Sequence, residues 1–155
     1  MSAEYSANVL QNVSPNQSVI FTESPVPCNR GLVFHRDESG LFRLASRAGC
    51  GTCGCICSTP ETLYQVAFHA NIQIPEGGTV EEISLGIFID GEVDPSSTMI
   101  TVPAAAEQLQ NVGAEIIVAV PCICRCSSVS IRNTSTQDIE VQNANILFNY
   151  LGVRR

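Results

Sequence analysis

The segment Leu63–Ile74 alternates apolar and polar residues along its whole length. Its even positions are apolar and include Tyr64 and Phe68, whereas the odd positions, such as Gln65 and Asn71, are mostly polar. A period of two predicts an extended strand with one face in a core and the other towards water or a partner. At about 3.3 Å per residue this strand would span roughly 35 Å and would need a neighbour on each edge. We therefore expect a sheet built around it.

Short β-rich runs separated by turn residues lie on both sides of this segment. Upstream, SVIFT predicts a strand and ESPVPCNRG a turn, and LVFH and LFRL predict a hairpin in which Gly40 is available for a positive φ. Downstream, strands are predicted in EEISLGIFIDG, STMITVP, EIIVAVP, SVSIRN, DIEVQ and ANILFNYLGV. AAAEQLQNVG is either one helical turn or a loop. About nine or ten strands without a convincing helix indicate an all-β antiparallel sandwich or barrel.

The length of 155 residues favours a single core. Residues 1–12 carry little pattern and are predicted to be an N-terminal arm, with one domain over 13–155. A net charge of −7 with only eight Lys plus Arg argues against nucleic-acid and anionic-membrane partners. With 15% charged residues, the surface is poor in charge, as in proteins that pack into assemblies. No signal peptide or spanning segment is predicted, so first folding is expected in a cytosol.

YQVAFHANIQIP, ISLGIFIDGE, a pair around EIIVAVP and SVSIRN, and a terminal ANILFNYLGV together resemble the jelly roll of the tumour-necrosis-factor and complement-globular-head class. NVSPNQSVIFTESPVPCNRGLVFHR and IEVQNANILFNYLGV are similar to small jelly-roll proteins of bacteriophages and of prophages in gut clostridia. The resemblance covers roughly residues 8–153. It implies a homotrimer built around a three-fold axis by the face that carries aromatic side chains. The core-strand residues on that face are Tyr64, Val66, Phe68, Ile146, Phe148 and Tyr150.

Eight cysteines are unexpected in a chain that first folds in a cytosol, where thiols usually stay reduced. A protein that is assembled inside a cell and exposed by lysis, as virion and spore-surface proteins are, would meet oxidising conditions later. Cysteines two apart in one strand are too distant to bond to each other, so each needs a partner in another segment.

In the resembled fold the long strand lies antiparallel beside the EIIVAVP strand, and antiparallel partners keep a constant sum of residue numbers. This arrangement predicts the disulfides Cys53–Cys126, Cys55–Cys124 and Cys57–Cys122, with Cys28 and Cys50 as a remaining pair within or between subunits. Extended inward, the same register places Tyr64 opposite Glu115.

Zinc is the alternative to disulfides, because clustered thiolates can form a tetrahedral site. The candidate ligands are Cys50, Cys53, Cys55, Cys57, Cys122, Cys124 and Cys126. Neither cluster contains a histidine, and the spacing follows a strand more closely than a zinc-binding turn. Disulfides are the preferred prediction, and free or intersubunit thiols are a third outcome.

No catalytic constellation emerges from the sequence. His35 and His69, the two histidines, lie inside predicted strands and are expected to be solvated or interfacial. Asp90, Glu92 and Asp94 surround a turn, where carboxylates usually cap backbone groups, and they lack the spacing of a calcium loop. We therefore predict a non-enzyme without a cofactor.

Three functions follow from these features. The first is a structural protein on the surface of a phage virion, either a capsid decoration or a fibre head, with itself as a homotrimer and the other capsid or fibre proteins as partners. The second is a spore-surface or appendage subunit crosslinked through cysteines. The third is a metal-binding or carbohydrate-binding jelly-roll module.

Overall fold

The computed structural model describes residues 1–28, 31–47, 60–122 and 126–154. In this part of the chain, twelve strands form two antiparallel sheets, and the only helical element is a 3-10 turn, Pro95–Ser97. The prediction of an all-β sandwich of two antiparallel sheets is confirmed. Among the described residues no helix has the length and apolar character needed to cross a bilayer.

Each sheet contains six strands. The first, here called the central sheet, comprises β1 (Ser2–Ala7), β2 (Gln11–Val13), β3 (Glu23–Val26), β6 (Glu61–Gln73), β10 (Gln110–Pro121) and β12 (Ile139–Arg154). The second sheet comprises β4 (Val33–His35), β5 (Phe42–Ala45), β7 (Ile83–Ile89), β8 (Glu92–Val93), β9 (Met99–Thr101) and β11 (Cys126–Asn133).

The predicted long strand is β6, and it lies between β10 and β12 in the order β10-β6-β12-β1-β3. Strand β2 pairs with the first residues of β12. In the second sheet the order is β4-β5-β11-β7-β8, with β9 beside β7. Because β6 has a partner on each side over almost its entire length, its backbone groups are satisfied within the sheet.

The register of β6 against β10 differs by three residues from the prediction. Tyr64 lies opposite Val118, and Glu115 lies opposite Ala67. The predicted register, with Tyr64 opposite Glu115, is wrong because it would place a charged residue of the outward side beside a fully buried ring. Side chains alternate between faces with a period of two, so the buried faces of both strands together fix the register.

Aromatic rings join the two sheets inside the sandwich. Phe42 of the second sheet packs against Tyr5 and Phe148 of the central sheet, with ring centroids 5.0 and 4.9 Å apart. Phe21 adds an edge-on contact with Phe42 at 5.2 Å. Such tilted pairs contribute about 0.5–1.5 kcal/mol beyond the area that they bury.

The aromatic face predicted to surround a three-fold axis lies inside the single chain. Of its six predicted residues, only Tyr150 is partly exposed, and the buried ones are Tyr64, Val66, Phe68, Ile146 and Phe148. These five side chains pack within the core, so they are core residues and do not face a neighbouring subunit. An assembly built on the central sheet must use the opposite face.

The first residues are part of the sandwich and do not form an arm. Strand β1 pairs with β12 from Ser2 to Ala7 and with β3 on its other side. Ala3, Tyr5 and Ala7 point into the core. The sequence did not predict this strand, because SAEYSA has low hydropathy and two of its three core residues are alanines.

The neighbouring segments also differ from their predictions. SVIFT makes only isolated bridges, at Ser18 and Phe21, whereas ESPV forms β3. Pro25 is tolerated in β3 because this strand lies at the sheet edge. Gly40 does not adopt a positive φ. Glycine is needed at this position instead because the turn passes close to the Val19 backbone. A Cβ on residue 40 would lie 2.5 Å from the Val19 carbonyl oxygen.

Candidate functional site

The outward side of the central sheet is a regular surface formed by the three longest strands of the described structure. We call it the outer face and define it by the residues of β10, β6 and β12 that alternate with the buried ones. These are Asn111, Gly113, Glu115, Ile117 and Ala119, then Leu63, Gln65, Ala67, His69 and Asn71, and finally Asn145, Leu147 and Asn149.

Amide side chains on the outer face bond across the strands. Asn149 donates to Gln65 Oε1 at 2.9 Å, and Gln65 donates to Glu115 Oε1 at 2.6 Å. This chain of bonds joins β12, β6 and β10, and its last step is diagonal because Glu115 lies opposite Ala67. The Glu115 carboxylate is therefore already engaged by an amide, which reduces the desolvation penalty when the surface is covered.

A second row of amides lies further along the same strands. Asn111 donates to Asn71 Oδ1 at 3.1 Å, and Asn71 donates to Asn143 Oδ1 at 3.3 Å. On the β1 side, Asn145 donates to Glu4 Oε1 at 2.6 Å. These bonds hold the side chains in place before any partner arrives.

Aliphatic residues lie beside the amides on the same face. Ile117 is 65% exposed on the edge strand β10, opposite Gln65, and Leu63, Ala67, Leu147 and Ala119 are partly buried by their neighbours. The outer face therefore combines a small apolar patch with preformed hydrogen bonds, which suits contact with another protein surface.

The sequence analysis named none of these residues as a site. The available signal was EIIVAVP, which is apolar on both faces although only one face of β10 enters the core.

The described cysteines lie at one end of the sandwich, close to the hydroxyl of Tyr64. Cys126 begins β11 opposite Ala45, whose carbonyl accepts a 2.6 Å bond from Tyr64. Cys122 is buried, and its N–H donates to the Pro60 carbonyl at 3.1 Å. Cys28 Sγ lies 3.7 Å from the sulfur of Met1.

The flanks of segment 48–59 lie at this same end. The Arg47 N–H donates to Thr62 Oγ1 at 2.8 Å, and the Arg47 guanidinium stands 5.5 Å above the Tyr150 ring. The other flank is Pro60, bonded to Cys122. The chain therefore leaves and re-enters the described structure beside the described cysteines.

The predicted disulfides and the thiolate site depend on residues outside the described ranges. Cys50, Cys53, Cys55, Cys57 and Cys124 lie there. Each predicted pair contains at least one of them, so the pairing stays a prediction. The register that suggested the ladder does not hold for β6 and β10. Among the described residues there is no cluster of three or more metal-ligating side chains.

The histidines and the acidic turn have structural roles. His69 is exposed on the outer face, and His35 stacks on Phe42 with centroids 4.4 Å apart. Asp90 accepts a 2.8 Å bond from the Ser128 N–H, and Asp94 accepts one of 2.9 Å from the Ser96 N–H. Both carboxylates cap backbone groups, as predicted for residues in turns.

Comparison with solved structures shows a tumour-necrosis-factor-like jelly roll. The Eiger tumour necrosis factor of S. frugiperda superposes with a TM-score of 0.65 at 10% identity, over 100% of this chain and 94% of that one. Pika GITRL gives 0.44 at 11% identity, covering 97% and 96%, and the PRD1 vertex protein P5 gives 0.40 at 13% identity, also covering 97% and 96%. No protein-family model matches the chain, and no curated protein matches it. At these identities the likeness defines the fold alone.

The Tyr64 hydroxyl ties the two sheets together at the cysteine-bearing end, so its removal should destabilise the protein. Tyr64→Phe leaves the Ala45 carbonyl without this donor, and we expect the free energy of unfolding to fall by about 1–2 kcal/mol. Tyr150→Phe is the matched control, because within the described structure the Tyr150 hydroxyl makes no hydrogen bond, and we expect a change below about 0.5 kcal/mol. Urea unfolding measures both, and equal losses would contradict this role for Tyr64.

Alkaline pH should lower the stabilisation that the Tyr64 hydroxyl gives to the folded protein. Burial, followed by the Coulombic effects of Cys28 and Tyr150, raises the pKa of Tyr64 from 10.0 to about 12. The folded state therefore favours the neutral phenol, and this stabilisation is present below about pH 10 and is lost as the pH rises towards 12. The stability difference between the wild type and Tyr64→Phe should shrink over that range. A difference that stays constant from pH 9 to 12 would argue against a raised pKa.

Proposed function

We propose that this chain is a non-catalytic structural protein of a phage particle that assembles as a homotrimer through the outer face of its central sheet. The observation that carries the proposal is the outer face itself, in which the exposed Ile117 lies beside Gln65, one of several amides that are already bonded across the strands. The trimer and the phage particle come from the sequence resemblance. The tumour-necrosis-factor-like fold supports the trimer.

The size of the outer face bears on how assembly would occur. Three paired strands, spaced about 4.8 Å apart, and about ten residues of about 3.3 Å each give a surface on the order of 500 Å². A standard stable interface takes about 800 Å² from each partner, so the neighbouring strand β1 must also contribute to the contact.

The carboxylates on the three long strands of the central sheet are engaged within the chain. Glu61 pairs with Arg154, and Gln65 and Gln73 donate to Glu115 and Glu140. Contact between identical copies brings like charges together, so carboxylates that already have partners are less unfavourable for self-association.

The position of the described cysteines is consistent with a protein that is stabilised by disulfides in an extracellular particle. We propose that oxidation after release from the cell links segment 48–59 to segment 122–126, whose described flanks, Pro60 and Cys122, are already bonded to each other. Such links would stabilise the chain by about 2–4 kcal/mol in the loop-closure account and would not alter the assembly surface.

A charge at the exposed isoleucine of the outer face should dissociate the trimer. Ile117→Asp places carboxylates of neighbouring copies close together in a desolvated interface, and we expect monomers at micromolar concentration with an unchanged far-UV spectrum. Leu41→Asp is the control, because Leu41 is also exposed but precedes β5 in the second sheet, and this variant should remain trimeric. Sedimentation velocity distinguishes the two, and an Ile117→Asp trimer would exclude the outer face as the interface.

Peptide mapping without reductant should reveal the proposed links. After air oxidation, we expect at least one disulfide between a cysteine of 50–57 and one of 122–126, together with faster unfolding after reduction. Protein that is alkylated first is the control. Complete alkylation of all eight thiols without reductant, or stoichiometric zinc in the purified protein, would contradict the disulfide proposal.

Antibody labelling of phage particles tests whether the protein is located on the virion surface. Phage particles from the organism that carries this gene should bind antibodies raised against the purified chain, and the copy number per particle should be a multiple of three. Particles that lack the chain, with the protein found on spores instead, would favour the spore-surface function.

A further inference from the structure

A cleft with cationic walls lies on the hairpin of β4 and β5, far from the outer face. Its volume is about 700 Å³. Among the described residues, arginine and histidine supply its titratable groups and no carboxylate lines it, although the chain carries a net charge of −7. The lining residues are Phe34, His35, Arg36, Ser39, Leu41 and Arg43.

The register of the hairpin explains how these side chains meet. Phe34 pairs with Arg43, so the two lie side by side on the outward face of the second sheet. Arg36 and Leu41 continue the same alternation towards the turn, two residues beyond Phe34 and two before Arg43. The two arginines therefore occupy one diagonal of a four-cornered surface, and the two apolar residues occupy the other.

The guanidinium groups are available to a ligand. Neither Arg36 nor Arg43 forms an ion pair in the part of the chain that the structure describes, where the ion pair present joins Arg154 to Glu61. Asp37 and Glu38 belong to the hairpin turn, but they do not line the cleft. Two unpaired arginines on one hairpin repel each other, and an anion between them would relieve that repulsion.

The framework beneath the cleft is held firmly. His35 stacks on Phe42 at an interplanar angle of 19°, and its Nε2 lies 3.0 Å from the Ser39 carbonyl oxygen. At Gly40 the turn approaches the Val19 backbone so closely that no side chain fits. A site that is ordered before binding loses less conformational entropy when the ligand arrives.

The geometry points to a sugar acid as the ligand: we propose that this cleft binds a saccharide ring bearing a carboxylate. A guanidinium accepts a carboxylate through two parallel hydrogen bonds. Phe34, which is 51% exposed, and Leu41 offer apolar surface to the C–H face of the ring. The four corners span two adjacent strands and two residue steps along each, about 4.8 by 7 Å, which is the size of a single compact ring.

Titration of the ¹⁵N-labelled full-length protein with sodium glucuronate, followed by NMR, tests the proposal. Glucose is the uncharged control ligand, and glucose 6-sulfate tests whether any anionic sugar binds the cleft. We expect glucuronate to shift resonances of residues 33–44 with a Kd of about 1 mM in low salt, weakening as salt is added. Glucose and glucose 6-sulfate should bind at least about fivefold more weakly, the loss expected when a charge-assisted hydrogen bond is removed or poorly matched.

Two arginine variants distinguish binding in the cleft from a general effect of positive charge on the Kd for glucuronate. Arg43→Gln should weaken glucuronate binding about tenfold. Arg132→Gln is the matched control on the same sheet, because this arginine lies over the Phe88 ring at 4.7 Å and donates to Ser130 at 3.1 Å, and its loss should leave the Kd unchanged. The proposal is overturned if glucuronate causes no shifts at about 20 mM. Equal binding of glucose or glucose 6-sulfate, or equal effects of the two substitutions, would also overturn it.

Discussion

The pairing of β6 with β10 on one side and β12 on the other is the constraint on which the rest of the structure depends. Once the alternation of β6 places Tyr64 and Phe68 inside, its backbone register decides which side of each neighbour is buried. The same register places Gln65 and Ala67 on the outer face, beside Ile117 and Leu147. The core and the outer face are thus two consequences of a single set of backbone hydrogen bonds.

The sandwich has three surfaces of different character. The outer face of the central sheet is apolar and amide-rich, and the opposite sheet carries an arginine-lined cleft. The end near Tyr64 gathers the described cysteines and the flanks of segment 48–59. Because these surfaces do not overlap, self-assembly, ligand binding and covalent reinforcement can coexist in one chain of 155 residues. This separation is the physical basis of the proposed structural role.

Alternation, together with the turn residues between the runs, predicted an antiparallel sandwich or barrel, and the family resemblance narrowed this to a two-sheet jelly roll. Alternation could not predict β1, whose core residues include two alanines with little hydropathy. The register prediction failed because it followed the spacing of cysteines, whereas burial of Tyr64 opposite Val118 determines it. Gly40 was expected to supply a positive φ, but the need at this position is steric and comes from a distant segment.

The outer face was harder to predict because its members are ordinary residues on three separate strands. Only the observed pairing brings Ile117, Gln65 and Asn149 to one level, and no local pattern marks them as a surface. The arginine cleft was missed for the opposite reason, since its residues are close in sequence but resemble an ordinary solvated hairpin.

Native mass spectrometry of the wild-type chain at micromolar concentration tests the central claim most directly. If the outer face is an assembly surface, the dominant species will have the mass of three chains. A spectrum that contains only single chains would contradict it.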